Sequence, residues 1–299
     1  MKTVVTGSTG MLGSAIVREL QARGESPIAW TRTTDCDLVD TEAVRRILRF
    51  IEPEVIINCA AVTDADWCEG NPMVTRAVNA FVPGDLATIA KELGARMIHI
   101  STDAVYRDDE PGLRREDDNP RPLSVYAETK LEGEGRVLAA YPEALVVRTT
   151  MFGWTLKTAP RPKFAEQILA ALTNRQQIKL FEDAFFSPLH VGTLAEYLLD
   201  LAVIDVEGVL NLGSVEPVSK WYFGRSLAGI FGLDASFIEA VSVDDVPLKA
   251  RRTKNVGMST AKLSKIFRPI PRVEDQLQIL YQEAFNGTAL EIRERETYP

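Results

Sequence analysis

Short apolar runs alternate along the first half of the chain with stretches whose apolar positions recur three and four residues apart. Thr3-Val4-Val5 is the first run, and from Leu12 the positions Ile16, Val17 and Leu20 fall at helical spacing. Residues 26–30 predict a second strand, and Val44, Ile47, Leu48 and Ile51 share a helical face. Residues 54–58 are almost continuously apolar, as expected of a strand in a parallel sheet covered on both sides. Leu86, Ile89, Ala90 and Leu93 mark another helix, and residues 96–100 and 144–148 two more strands. This strand–helix alternation to about residue 150 is the pattern of a doubly wound parallel α/β sheet.

From Met151 the alternation fades. Ile168, Leu169 and Leu172 predict a helix, residues 178–181 a strand, and residues 185–190 a loop. Leu194, Tyr197, Leu198 and Leu201 share a helical face, residues 209–212 suggest a strand, and residues 221–231 and 273–285 are amphipathic. The expected organisation is a first domain at 1–150 and a smaller mixed α/β domain at 151–299, some of whose segments return to the first.

Composition narrows the class. The chain has 299 residues, 45% hydrophobic and 25% charged, ordinary for a globular protein. A net charge of −8 argues against a nucleic-acid surface. Cys36, Cys59 and Cys68 form neither a disulfide framework nor a metal-like spacing, and Cys59, in an apolar run, is expected in the core. No segment reads as a signal peptide or membrane span, so a cytoplasmic protein without membrane, nucleic-acid or metal partners is expected.

Two stretches carry candidate chemistry. Gly7, Gly10 and Gly13 stand between the first strand and the first helix, where glycines let the backbone approach a pyrophosphate and the helix end offers free N–H groups. Such a loop opens a dinucleotide-binding, Rossmann-type domain. Arg32, after the second strand, either meets a 2′-phosphate, which favours NADPH over NADH, or is a solvated loop arginine. Tyr126 and Lys130 lie four apart on a predicted helix and so on one face. A cation about 4 Å from a phenol, at an effective dielectric of about 20, contributes roughly 4 kcal/mol, or roughly three pK units. That would bring a tyrosine near neutrality, although the same spacing suits an ordinary helix-surface pair. Thr102 and Asp103 follow a strand, where ligands of open α/β sheets bind, whereas His99 inside that strand reads as structural.

Together these motifs resemble the extended short-chain dehydrogenase/reductases, and within them the dTDP-4-dehydrorhamnose reductases. The likeness rests on Thr6-Gly-x-x-Gly10-x-x-Gly13, Cys36-Asp37-Leu38-x-Asp40, Ile57-Asn58-Cys59-Ala60-Ala61 and Ala77-Val78-Asn79. It continues through Ile100-Ser101-Thr102-Asp103-x-Val105-Tyr106, Pro122-Leu123-Ser124-Val125-Tyr126, Lys130-Leu131-x-Gly133-Glu134, Val147-Arg148-Thr149, and 250–255 followed by Lys262-Leu263.

The resemblance implies that Tyr126 is a general acid, that Lys130 lowers its pKa and bonds the nicotinamide ribose, and that Thr102 and Asp103 position the substrate. It implies cofactor contacts at Gly7, Gly10, Met11, Leu12, Gly13, Asp37, Leu38, Cys59, Ala60, Ala61, Tyr126 and Lys130, besides Arg32. Substrate contacts would come from Thr63, Thr102, Asp103, Met151, Trp154, Phe186 and Arg252. The implied reaction is NAD(P)H-dependent reduction of the 4-keto group of a nucleotide-activated 6-deoxy sugar, foremost dTDP-4-dehydro-L-rhamnose to dTDP-L-rhamnose. A nucleotide-sugar epimerase or dehydratase, or a non-catalytic NADP-binding regulatory subunit, are the alternatives, and a homodimer is left open.

Three departures fall where the sugar is expected. Ala104 stands where the family has an aromatic residue. Thr150-Met151-Phe152-Gly153 is one residue short of the family's pattern and is followed by Trp154. Residues 184–190 replace a Gly-x-Pro-Thr segment.

Overall fold

The structure is a computed structural model and describes residues 1–31, 36–106, 112–156, 162–267 and 269–285. The first half runs β1 (Thr3–Thr6), α1 (Met11–Ala22), β2 (Ile28–Trp30), α2 (Thr41–Ile51), β3 (Val55–Asn58), α3 (Ala65–Gly70) and α4 (Pro72–Arg76). A π-helical turn, Ala77–Phe81, leads into α5 (Val82–Leu93), β4 (Arg96–Thr102), α6 (Val125–Ala140) and β5 (Leu145–Thr149). The second half contains β6 (Met151–Phe152), α7 (Phe164–Thr173), β7 (Ile178–Phe181), β8 (Phe185–Phe186), β9 (Leu189–His190) and α8 (Val191–Leu201). It ends with β10 (Gly208–Leu212), β11 (Val218–Ser219), α9 (Lys220–Ile230), β12 (Ile238–Val241) and α10 (Val273–Phe285).

Six strands form one parallel sheet in the order β10-β5-β4-β3-β1-β2. Every residue of β1, β3 and β5 is buried, which their unbroken apolar and β-branched sequences require of strands covered on both faces. On one face Ile16 and Leu20 of α1 and Leu194 and Leu198 of α8 pack on Val5, Ile57 and Val147. On the other, Val44 and Leu48 of α2 and Leu86 and Ile89 of α5 pack on Val4, Ile56 and Val146. β10 comes from the second half of the sequence yet extends the sheet beside β5.

A separate core joins α7, α9 and α10 through Ile168, Leu169, Phe223, Leu227, Leu277 and Leu280. Residues 185–190 are not a plain loop. Phe185–Phe186 pairs antiparallel with β11, and Leu189–His190 pairs parallel with β6. Strands of two residues carry too little alternation to be read from sequence.

Local signals fix the helix that carries the Tyr-Lys pair. The Ser124 side chain caps α6 by accepting from the Ala127 N–H at 3.3 Å. Gly133 then lets α6 press onto the π-helical turn, because a Cβ there would collide with the Asn79 carbonyl oxygen. Asn79 also clamps the segment after β3: Val62 N–H donates to its Oδ1 at 2.8 Å and its Nδ2 donates to Val62 O at 3.0 Å.

Candidate active site

The glycine loop meets the end of β3 backbone to backbone. Gly7 has φ +64°, and a Cβ on it would lie 2.7 Å from the Ala60 nitrogen. A Cβ on Gly13 would strike the Gly7 carbonyl oxygen. Any side chain at either position would therefore fill or distort the loop. Gly10 supplies an extended N-cap to α1 with no side-chain cap, so the first amides of that helix remain available to an anion. Leu12 is buried in the core behind the loop, while Met11, Ala60 and Ala61 are half-buried around it. Cys59 follows the end of β3 at Asn58 and is half-buried, packed against the sheet core it was expected to join. Burial still pushes its thiol up to about 12. Asp37 is exposed and Leu38 half-buried near β2. Arg32 lies outside the described residues.

Thr102 is the last residue of β4, and Asp103 opens a single 3-10 turn after it. Thr102 Oγ1 donates to Asp103 Oδ1 at 3.1 Å and accepts from Ala104 N–H at 3.2 Å. Thr102 also shares a hydrogen bond with the half-buried Tyr126 phenol on the facing helix. The Thr102, Asp103 and Tyr126 side chains thus converge at the carboxyl end of a central strand.

Lys130 is brought to the same place but engages a different partner from the one its spacing suggests. It is 2% exposed, and Nζ donates to the Ile100 carbonyl at 2.6 Å. Burial pulls its pKa down to about 8, against the opposing pull of Glu134 and Cys59. The expected depression of Tyr126 is not found. Burial pushes the phenol up to about 12, the Thr102 hydrogen bond offsets this in part, and Asp103 and Cys68 add to the rise. The ammonium is turned to the β4 backbone, and desolvation of the phenolate dominates.

A buried polar chain supports this lysine. Asn58 Oδ1 accepts from Thr6 Oγ1 at 2.6 Å and from Ala60 N–H at 3.2 Å, so its amide nitrogen faces His99 Nδ1 at 3.1 Å. Nδ1 is then the acceptor, and the neutral ring carries its proton on Nε2, 3.4 Å from Lys130 Nζ. Burial and the neighbouring Lys130 keep His99 well below its ordinary pKa. The glycine-loop strand, the β3 end and His99 are therefore held by one set of hydrogen bonds, and the His99 ring lies beside Lys130.

Beyond Asp103 opens a cavity of about 320 Å³ bordered by Asp103, Ala104, Thr150, Phe186, Lys220 and Arg252, among others. Phe186 and Arg252 both line this cavity. Arg252 is also tied to α3, with Nη2 3.1 Å from Asp66 Oδ1 and Nη1 donating to Ala250 O at 2.7 Å. Three other candidates are elsewhere. Trp154 is a core residue, 5% exposed, donating to Leu280 O at 3.2 Å and packed edge-on to Phe231. Met151 packs against the sheet core, and its neighbour Thr150 borders the cavity instead. Thr63 is exposed in the segment between β3 and α3.

Residues 1–285 match the family described as RmlD substrate binding domain. The chain belongs to that family. A dTDP-4-dehydrorhamnose reductase of Mycobacterium tuberculosis is 36% identical over 264 residues, 87% of this chain and 85% of that protein. A probable low-salt glycan biosynthesis reductase of Haloferax volcanii is 32% identical over 291 residues, 94% of this chain and 97% of that one. The fold matches the crystal structure of a Bacillus anthracis dTDP-4-dehydrorhamnose reductase in complex with NADP, with TM-score 0.88, 24% identity, and coverage of 95% of this chain and 100% of that one.

Within this RmlD-family chain, sequence reasoning missed several residues at the site. Asn58 was visible in the strand-end motif, but its links to Thr6 and His99 were not. Phe164 and Lys220 arrive from α7 and α9, and nothing in their local sequence marks them.

Proposed function

We propose that this protein is an NADPH-dependent reductase of the 4-keto group of a nucleotide-activated 6-deoxy sugar, with dTDP-4-dehydro-L-rhamnose the leading substrate. The carrying observation is the convergence of Thr102, Tyr126 and Lys130 at the end of β4 in a chain whose β1–α1 loop tolerates no side chain at Gly7 or Gly13. The 36% identity to a dTDP-4-dehydrorhamnose reductase supports the substrate class, and the NADP held by the structural neighbour supports the cofactor.

The cradle fits a dinucleotide. Gly7, Gly10, Met11, Leu12 and Gly13 would hold the pyrophosphate at the N-terminus of α1. Cys59, Ala60 and Ala61 would border the ribose and nicotinamide, Asp37 and Leu38 the adenine, and Lys130 would hold the nicotinamide ribose. When bound, the reduced cofactor supplies the hydride. Thr102 Oγ1 positions the ketone oxygen beside Tyr126, and Tyr126 Oη gives that oxygen its proton. A phenol pushed up to about 12 stays protonated at neutral pH, the form a proton donor needs. Asp103, Phe186 and Arg252 border the space for the sugar nucleotide. Such an enzyme works in the cytoplasm, where its three cysteines remain free thiols.

The test is loss of reduced-nicotinamide absorbance on mixing the protein with NADPH and dTDP-4-dehydro-L-rhamnose. Turnover that requires the keto sugar supports the reading. No turnover with any keto-sugar nucleotide defeats it.

A further inference from the structure

Lys220 borders the cavity beyond Asp103, yet its ammonium has no hydrogen-bond acceptor and no ion-pair partner among the described residues. Its nitrogen rests instead on two rings, 3.6 Å from the Phe186 centroid and 4.8 Å from that of Phe164. A ring face attracts a cation but leaves its N–H donors without an acceptor. The side chain is half-buried, and no acceptor among the described residues offsets the desolvation this costs its ammonium. Burial accordingly pulls Lys220 down to about 8, with Asp103 the main opposing influence and Arg252 adding to the fall.

The position is unfavourable on a second count. Lys220 is the first residue of α9, whose N-cap is Ser219. A helix N-terminus carries partial positive charge and disfavours a cation. A methionine would cover Phe164 and Phe186 without either cost. The lysine therefore calls for an acceptor that enters the cavity from outside.

Its neighbours indicate which part of a ligand that is. Asp103, the charge that most favours the Lys220 ammonium, accepts the hydrogen bond from Thr102 at 3.1 Å, and Thr102 bonds the Tyr126 phenol. Lys220 thus belongs to the reacting end of the cavity. Arg252, the other cation on its border, is already engaged by Asp66 and Ala250 O.

We propose that Lys220 is a substrate-binding residue whose ammonium donates to an oxygen acceptor on the sugar half of the sugar nucleotide, beside Thr102 and Asp103. This rests on the reductase reading given above. A charge-assisted hydrogen bond of this kind corresponds to about ten- to a hundredfold in affinity.

The experiment compares calorimetric binding of dTDP and dTDP-L-rhamnose to NADPH-loaded wild type, Lys220→Met and Lys220→Arg. Wild type is expected to bind the sugar nucleotide more tightly than dTDP. Lys220→Met should lose at least about tenfold on dTDP-L-rhamnose and nothing on dTDP, with NADPH affinity unchanged and Tm equal or higher, and Lys220→Arg should keep most of the affinity. Equal losses on both ligands would assign Lys220 to the diphosphate and overturn the proposal, as would no loss on either. Wild type that binds neither ligand would instead defeat the substrate reading itself, and the proposal with it. Lys220→Gln is read by the same comparison if the methionine disturbs the fold.

Discussion

Arg148 Nη2 lies 2.7 Å from Glu134 Oε2, with the two side chains only 5% and 4% exposed. Arg148 Nε donates to both Glu134 oxygens, at 3.0 and 3.1 Å, and Ser101 Oγ donates to the same carboxylate. Glu134 lies one turn beyond Lys130 on α6, so this pair fastens the helix that carries Tyr126 and Lys130 to β4 and β5. Arg148→Met would leave a buried carboxylate with no cationic partner, a loss of about 3–5 kcal/mol. Denaturant unfolding of the single variants and of Glu134→Leu/Arg148→Met measures it. The double variant should lose less than the sum of the singles, and additive losses would contradict the pairing.

Gly7 is the stricter test of the cofactor loop. With φ +64° and Ala60 N 2.7 Å from a notional Cβ, Gly7→Ala meets both backbone strain and a collision with backbone that cannot swing aside. The left-handed conformation alone costs about 1–2 kcal/mol. NADPH affinity, followed by nucleotide fluorescence, should fall at least about tenfold, since the loop must move off the β3 end. Gly24→Ala is the control: φ is +80° there, but a Cβ would meet nothing within 4 Å, so the fold is strained while cofactor affinity stays put.

Much of this arrangement was legible in the sequence because backbone and burial dictate it. Strands buried on both faces leave unbroken apolar runs, and β1, β3 and β5 were found within a residue or two. The glycine spacing reported a close backbone approach, which is what Gly7 and Gly13 make. What was lost concerned side-chain direction. Spacing placed Lys130 one turn from Tyr126 but could not show that the Ile100 carbonyl takes its ammonium. Trp154 was expected at the substrate, but α10 offers its ring N–H the Leu280 carbonyl in the core. Lys220 and Asp103 border one cavity although they stand far apart in the chain, a relationship with no local signature.

Asp103 links stability to pH. Burial raises it from 3.8 to about 6, so between these values the folded chain keeps a proton that the unfolded chain has released. Its contribution to stability is full below about pH 3.8 and is lost as pH rises through about 6. Asp103→Asn is neutral throughout and should gain on wild type over this range, by at most ~3 kcal/mol. Tm values of both proteins from pH 4 to 7 measure the difference. The lowered carboxylates Asp66 and Asp183 are common to both proteins and cancel. A difference that does not change with pH would show that Asp103 ionises normally.

Tyr126 and Lys130 separate proton donation from electrostatic support. Tyr126→Phe keeps the ring and removes the proton, so kcat should fall by about 10²–10⁴ while NADPH affinity stays within about twofold. Lys130 predicts a pH dependence as well. Its folded pKa of about 8 is below the ordinary 10.5, with Glu134 and Cys59 opposing the fall and the neutral His99 ring beside it. Wild-type kcat should therefore decline as pH rises through about 8 and the ammonium is lost, whereas Lys130→Met should be slow and flat there. Stability moves the other way. From pH 8 to 10.5 the unfolded chain binds more protons at Lys130 than the folded chain, so this residue makes wild type more stable as pH rises. Any stability advantage of Lys130→Met must shrink over the interval in which wild-type activity declines. If the two curves rise or fall together, the group that governs activity is not Lys130.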